Sequence, residues 1–507
     1  MRFTWSVCLL LALAGGSAPA QWTEIQPGFD YQQFNLAGPV EVFVARMDLS
    51  DAAGRTVDSM IAQGQFYKEG LANDGRETVS AMAARYDDTI GFHYQAWGHR
   101  NDVVAAINGD YWEREYYPGG PYTGRPVGGQ VQGGWFCRWY GFFGGGSGYY
   151  HTIWGVPHIG GDVSSGDHSD CRQLVIFEDA STANLTGLNV ERGTDDLIVY
   201  TPQWASSTHT DDTGVEVLVE VNRPALPIPH GVPANSCNGT IIAVRDGVGD
   251  TVIPFDHVVV SGTGSQADTL RAKCTVGESL DLQLLIRDYG LLGRTPPHPA
   301  QDWTKAYGSV GVDREIVIAS TATNPPSPDT TRDPRTGICF NATHVFFVVV
   351  DGRSSASIGM TFGELANFMI TQLGATEGAS LDGGGSSALW IQGMGIVNNP
   401  SDGSERATCN GLMMVDVLPR EQSVELTEGL TVELQGDTSL RLGPGTNYAA
   451  LASVTEGEYG FVLPHTLNGV LATGSNWWKC DVGGTEGWLP ETSLIGITSA
   501  RSWQIYR

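Results

Sequence analysis

The chain has 507 residues, with 29 Lys plus Arg against 56 Asp plus Glu, so its formal net charge is −27. That balance excludes a nucleic-acid binder, because a phosphate backbone asks for a basic footprint. With 41% apolar and 17% charged residues the composition is not that of a disordered chain. Its 66 glycines follow no collagen period, and its length suits one large domain plus a smaller one, or two to three domains.

Residues 1–20 read as a secretory signal: Arg2, an apolar run from Val7 to Ala14, and Ala18-Pro19-Ala20 before Gln21. The apolar run is too short to span a bilayer, and no later stretch is long and apolar enough to do so. The expectation is a secreted chain, extracellular or periplasmic, with no membrane span. Setting Cys8 aside leaves Cys137, Cys171, Cys237, Cys274, Cys339, Cys409 and Cys480. No C-x-x-C spacing points to zinc. An oxidising compartment favours disulfides, and sequential pairing gives Cys137–Cys171, Cys237–Cys274 and Cys339–Cys409, with Cys480 free.

Taken in chain order, residues 21–110 mix short strands with one helical stretch from Thr78 to Tyr86. The strand Val103–Ile107 ends in Asn108-Gly109-Asp110. Residues 111–160 are rich in Gly and aromatics, including Trp112, Trp135, Trp139 and Trp154, and 161–300 have the texture of short strands and Pro/Gly turns. Together they read as a β-rich insert at about 111–300. Regular α/β texture follows over 301–418, then a charged linker at 419–430 and short β runs over 431–497.

The stretch 344–387 carries most information. His344–Val350 is a continuous β-branched and aromatic run, as expected of a buried strand, and it ends in Asp351-Gly352-Arg353. Thr361 and Glu364 have capping-box spacing, and Phe362, Leu365, Ala366, Met369, Ile370 and Leu373 recur at helical spacing before Gly374. A short strand, Ala379–Leu381, then ends in Asp382-Gly383-Gly384-Gly385-Ser386. Strand, helix and strand predict a parallel pair with a crossover. Asp351 and Asp382 then stand at one sheet edge, where ligands bind in open α/β sheets. The expected fold class is α+β, with a mixed α/β catalytic domain carrying the β-rich insert.

Asp351 and Asp382 are the candidate catalytic carboxyl pair, since glycoside cleavage uses two carboxyls that flank the scissile bond. Asp-Gly is also a common turn dipeptide, and Asp110 is a third candidate under the same ambiguity. Glu364 is assigned to the helix cap. Gly383, Gly384 and Gly385 offer a backbone N–H nest for an anion. Arg335, Arg353 and Arg406 stand out in a chain poor in cations, and guanidinium groups recognise phosphate bidentately. The aromatics at 111–154 offer either faces for sugar stacking or core packing.

Five runs, INGDYW (107–112), PRTGI (334–338), VVVDGRSSASIGMTFGELA (348–366), LGATEGASLDGGGSSALW (373–390) and VNNPSDGSERATCNGL (397–412), resemble the phosphodiester glycosidase family. The resemblance covers roughly 75–110 and 300–415. It implies removal of an N-acetylglucosamine joined through phosphate to another sugar, at a site assembled from these motifs. Asn108, Arg335, Asp351, Arg353, Asp382, Ser386, Arg406 and Asn410 match its characteristic positions, with Asp110 and Thr336 beside them. Asp110 stands where many relatives carry a small residue, and the long insert is a further departure.

Leu440–Tyr448 and Gly487-Trp488-Leu489 are similar to a bacterial SH3-like domain, a small β-barrel. This implies a module at 431–497 whose Trp477, Trp478 and Trp488 line a groove for cell-wall contact, or whose Trp488 sits in the barrel core.

The expected function is a secreted phosphodiester glycosidase acting on a phosphorylated glycan or sugar-phosphate diester, and the alternative is a non-catalytic glycan- or cell-wall-binding protein. No cofactor is expected, with Ca²⁺ on Asp110, Asp351 and Asp382 as the one metal considered. On so acidic a chain, phosphate capture must be local, so Arg335, Arg353 and Arg406 are expected to converge.

Overall fold

The computed structural model describes residues 22–93, 96–113, 124–138, 148–152, 154–160, 173–221, 238–284, 306–323 and 330–497. Within them strands dominate. Thirty-six strands accompany three α-helices, Val79–Asp87, Gly264–Lys273 and Phe362–Leu373. The expected mixed α/β class is therefore corrected to a β-dominated fold.

The reason lies in how the strand run at 344 is used. The three-residue turn Asn341–Thr343 folds Arg335–Phe340 back onto His344–Val350 as an antiparallel hairpin. Asn341 Oδ1 accepts from the backbone N–H groups of Thr343 and His344, which fixes the turn. The other edge of His344–Val350 is taken by Val40–Asp48, also antiparallel. The strand after the helix, Glu377–Ser380, therefore pairs with the far side of Arg335–Phe340. The two strands expected to be neighbours run in the same direction, but an antiparallel strand separates them.

These strands belong to an eight-stranded sheet in the order Thr23–Gln26, Phe29–Leu36, Val40–Asp48, His344–Val350, Arg335–Phe340, Glu377–Ser380, Arg314–Ile318, Thr321–Ala322. The strand run is apolar throughout because both its faces are covered. Val345, Phe347 and Val349 face a second sheet, while Phe346, Val348 and Val350 lie under Leu365, Phe368 and Met369 of the helix Phe362–Leu373. That helix has the expected capping box, Thr361 with Glu364, and ends on Gly374 in the left-handed conformation at φ 66°.

The second sheet has the order Gly395–Ile396, Leu389–Ile391, Asn101–Asn108, Asn410–Val417, Arg55–Ile61. Its inner face contributes Val57, Ile107, Leu412 and Met414 to the core between the sheets. Met82, Ala83 and Tyr86 of the helix Val79–Asp87 cover its outer face. Helix, sheet, sheet and helix thus form four layers, and a five-stranded sheet adds Tyr149, Ile159 and Val310 to the middle.

The insert forms its own eight-stranded sheet, in which Val215–Val221 lies between Asn238–Asp246 and His257–Gly262. Ala267 and Leu270 of the helix Gly264–Lys273 lie in its apolar core.

The C-terminal strands form one sheet from Ala450–Val454 at one edge to Leu494–Gly496 at the other, with no pairing between these two. A closed barrel has no edges, so the expected barrel is corrected to an open sheet. Trp478 lies in its core. Trp477 and Trp488, only 1% and 3% exposed, pack with Phe255 of the insert and Ile90. The three tryptophans line no groove; two of them hold this unit against the rest of the chain.

Cys137, Cys274, Cys339, Cys409 and Cys480 are free thiols, all buried. The Cys339–Cys409 pairing is overturned: Cys339 sits between the first sheet and its helix, whereas Cys409 Sγ lies against the carbonyl of Asp110. Cys171, Cys237 and the expected signal at 1–20 lie outside the described residues. Among the described residues no helix is long and apolar enough to cross a membrane.

Candidate active site

The two sheets meet at Asn108, the last residue of its strand and fully buried. Its Nδ2 donates to the carbonyl of Asp382 at 2.7 Å. Its Oδ1 accepts from Thr336 Oγ1 at 2.8 Å and from the N–H of Ala388 at 3.2 Å. The N–H of Asp382 donates in turn to the carbonyl of Gly109, and that of Leu381 to Thr336. Asn410 completes the joint: its carbonyl accepts from the Gly109 N–H, its Oδ1 from the Asp110 N–H at 2.8 Å, and its Nδ2 donates to Gln130. Asn108, Asp110, Thr336, Asp382 and Asn410, scattered over 300 positions of sequence, thus form one hydrogen-bonded network.

Asp110 and Asp382 are the titratable groups in it. Asp382 is 7% exposed, and burial pushes its carboxyl up to about 7. The charge of Asp110 adds to the rise, while the Ser386 hydroxyl, Arg406 and the Gly383 N–H oppose it. Burial likewise raises Asp110 to about 6, against the N–H groups of Gly128 and Tyr111 that its carboxylate accepts. Burial and the nearby charge of Asp110 together favour a proton on Asp382 near neutral pH.

Asp351 sits at the same sheet edge but is differently used. It accepts from Asn398 Nδ2 at 3.0 Å, from the Asn399 N–H at 2.9 Å and from Asn399 Nδ2 at 3.1 Å. Burial raises its carboxyl, and these amides pull the other way. Its geometry fastens the 398–399 loop to the strand end. Asn398, Asn399, Gln130 and Ser357, which donates to the Asp351 carbonyl, are supports that sequence reasoning did not single out; an Asn pair beside the PSDG run was the available signal.

The glycine turn shows why side chains are absent there. Gly384 has φ +65° and donates to the Pro334 carbonyl at 2.9 Å, while the N–H groups of Ser386 and Ser387 bond within the turn. Of the three glycines expected to form a nest, Gly384 thus has its N–H engaged by a carbonyl, and the Gly383 N–H bonds the Asp382 carboxyl. Instead the missing Cβ atoms admit arginines. A Cβ at Gly384 would lie 3.1 Å from Arg353 Nη2, and one at Gly385 would collide with the Arg406 guanidinium and the Asp402 carboxylate.

Arg406 pairs with Asp402 and donates to Ser386 Oγ at 3.3 Å. Arg353 pairs with Asp333 at 3.0 Å, is half exposed, and is held at φ +59°, a conformation costly for a residue with a Cβ. Arg335 approaches Gly383 with its Cα and Cδ, but its guanidinium turns to the carbonyls of Met360 and Thr331 and to the Phe362 ring, 3.8 Å away. Two of the three arginines therefore bring their charge to the glycine turn, and the third is a brace.

Among the aromatics of the insert, Trp112 and Trp135 are buried, Trp154 is exposed, and Trp139 lies outside the described residues. Tyr111, 43% exposed, stands next to Asp110, and the charges of Asp313, Asp382 and Asp110 all act on its hydroxyl. The carboxylates of Asp110, Asp351 and Asp382 do not come together as a cation cage; among the described residues the group so placed is Glu220, Asp256 and His465, elsewhere in the chain.

No curated protein matches the chain. Solved structures that align with it include a hypothetical protein from Synechocystis, 17% identical with a TM-score of 0.47, covering 79% of this chain and 64% of that one. The chain thus spans about 64% of the length of that relative. Another is the catalytic domain of zebrafish N-acetylglucosamine-1-phosphodiester alpha-N-acetylglucosaminidase, auto-inhibited by its pro-peptide, 10% identical with a TM-score of 0.32, covering 81% of this chain and 91% of that one. The profile of the phosphodiester glycosidase family matches residues 237–415, which carry Asp382, its glycine turn and all three arginines.

Proposed function

We propose that the chain is a secreted hydrolase that cleaves a sugar from a sugar-1-phosphate diester, of the N-acetylglucosamine-1-phosphodiester type, in a phosphorylated glycan. The observation that carries this reading is the setting of Asp382: a buried carboxyl raised to about 7, hydrogen-bonded to Ser386, which in turn receives Arg406.

In this reading Arg353 and Arg406 hold the phosphate beside the glycine turn. Water attacks the anomeric carbon, the bond from that carbon to the phosphate oxygen breaks, and the products are a free sugar and a phosphate monoester. Asp382 gives its proton to the departing oxygen and recovers one from the attacking water. A phosphate leaving group needs little help, which suits a site with one mobile proton rather than two independent carboxyls. Asp110 keeps that proton in place by its charge. Asp351 positions the loop that carries Asp402 and Arg406.

The test is hydrolysis of a synthetic methyl diester of N-acetylglucosamine-1-phosphate by wild type and Asp382→Asn. Loss of about 10²-fold or more is expected for a proton donor. Equal rates would remove Asp382 from the reaction.

A further inference from the structure

A cavity of about 340 Å³ lies where three parts of the chain meet, and it shares no residue with the Asp382 site. Its walls come from the second sheet and its helix (Gln63, Arg85), the insert and its flank (Gln132, Trp135, Gln203, Phe255) and the C-terminal sheet (Asn447, Tyr448).

The junction is built to stay in place. The Phe255 N–H donates to the Leu442 carbonyl, and the Ile90 N–H to Tyr448 Oη at 3.3 Å. Phe66 and Tyr67 N–H groups donate to the carbonyls of Gln203 and Trp204. Asp256 of the insert is bonded by both His257, at 2.7 Å, and His465, at 3.1 Å. Nδ1 of His465 accepts the Leu467 N–H, so its Nε2 carries a proton for Asp256. Asp256, His257 and His465 therefore act as an intramolecular clamp rather than as metal ligands.

The chemistry of the walls is specific. Arg85 is paired with Glu77 and donates to the Ile61 carbonyl, while Asp58 has no cation beside it among the described residues and accepts from Tyr86 and Gly133. The amides are only half used. Gln132 and Gln203 both line the cavity; Gln132 Oε1 accepts the Ile61 N–H and Gln203 Oε1 accepts Thr201 Oγ1, and neither Nε2 has a partner among the described residues. Asn447 is exposed at the rim. Aromatic rings of Trp135, Phe255 and Tyr448 supply apolar faces.

We propose that this cavity is a binding pocket for an uncharged sugar unit, separate from the hydrolytic site. Its volume falls in the range of ligand pockets. Neutral amide donors beside aromatic faces match a sugar ring, with hydroxyls at its edge and C–H groups on its face. The cation in its lining, Arg85, is already paired with Glu77, which disfavours a phosphate, so the pocket takes a phosphate-free part of a glycan. The inference stands without the hydrolytic reading. It also places glycan contact at the seam of the C-terminal sheet, whose own tryptophans are buried.

The test is titration of the full chain with N-acetylglucosamine, glucose and glucose-1-phosphate, followed by tryptophan fluorescence and calorimetry. Three proteins are compared: wild type, Asp382→Asn, and the double variant Gln203→Ala with Asn447→Ala. A neutral sugar is expected to bind wild type and Asp382→Asn alike, and glucose-1-phosphate no more tightly than glucose. The double variant, which loses two donor side chains, is expected to bind at least about tenfold more weakly. Because Gln203 is half-buried and Asn447 exposed, an unchanged melting temperature shows that the fold is kept. No response to either neutral sugar at millimolar concentration overturns the proposal. So does binding that survives in the double variant or disappears in Asp382→Asn.

Discussion

The side-chain amide of Asn108 holds the backbone carbonyl of Asp382 at 2.7 Å, so that the end of a strand in one sheet fixes the aspartate turn at the end of the other. Asn108 is buried, and its side chain bonds three protein groups. An Asn→Ala change removes every one of them and leaves the Thr336 hydroxyl, the Ala388 N–H and the Asp382 carbonyl to find others. We expect Asn108→Ala to lose about 2–4 kcal/mol of stability and, where it still folds, to hydrolyse the diester with a lower kcat at little changed KM. Thermal unfolding and steady-state kinetics check both; a kcat equal to wild type would separate this joint from catalysis.

The pairing of Asp110 with Asp382 gives a prediction about pH. Asp382 must be protonated to donate, and its carboxyl titrates at about 7, partly because Asp110 lies nearby. Activity should therefore decline as pH rises through about 7. Asp110→Asn removes the neighbouring charge and keeps one oxygen, enough for one of the Tyr111 and Gly128 N–H groups, which bond separate carboxylate oxygens. The Asp382 carboxyl then falls, and the alkaline limb of the kcat/KM profile should move to lower pH. A limb that stays in place would show that the two carboxyls do not communicate.

How much of this was legible in the sequence depends on range. The capping box at Thr361 and Glu364, the left-handed Gly374 and the strand ends at Asn108 and Val350 are set by neighbours within a few residues, and they appear as read. Asp351-Gly and Asp382-Gly look alike locally. What separates them is the loop at Asn398 and Asn399, which occupies the Asp351 carboxylate and leaves Asp382 facing Ser386. The parallel pair was misread because the hairpin at Asn341 places Arg335–Phe340 between the two strands. The tryptophans of the C-terminal unit signal burial rather than a groove, because Phe255, distant in sequence, packs against them.

The glycine turn makes a distinction between stability and binding. An alanine Cβ at Gly385 would meet the side chains of Arg406 and Asp402, both partly exposed and able to swing aside. Gly385→Ala should then cost little stability, within about 1 kcal/mol, yet draw Arg406 away from Ser386 and raise KM for the diester. Gly384→Ala differs, since φ +65° adds backbone strain of about 1 kcal/mol. Melting temperatures of the two variants, set beside their KM values, test the contrast.

The last prediction concerns Asp58, a fully buried carboxyl beneath the junction cavity. Burial raises it to about 7, while Tyr86, Gly133 and Ser59 hydrogen bonds oppose the rise. In the unfolded chain an aspartate titrates near 4. The folded chain thus keeps a proton that the unfolded chain has released between these values. Its contribution to stability is complete below about pH 4 and is lost as pH rises through about 7. Asparagine has no proton to lose and retains an oxygen for the Gly133 N–H. The stability of Asp58→Asn relative to wild type should therefore improve steadily from pH 4 to pH 8, by an amount on the order of a few kcal/mol. Denaturant melts of both proteins across that range decide it. A constant difference would mean that Asp58 is already ionised in the folded chain, with the Tyr86 hydroxyl and the two backbone N–H groups outweighing its burial.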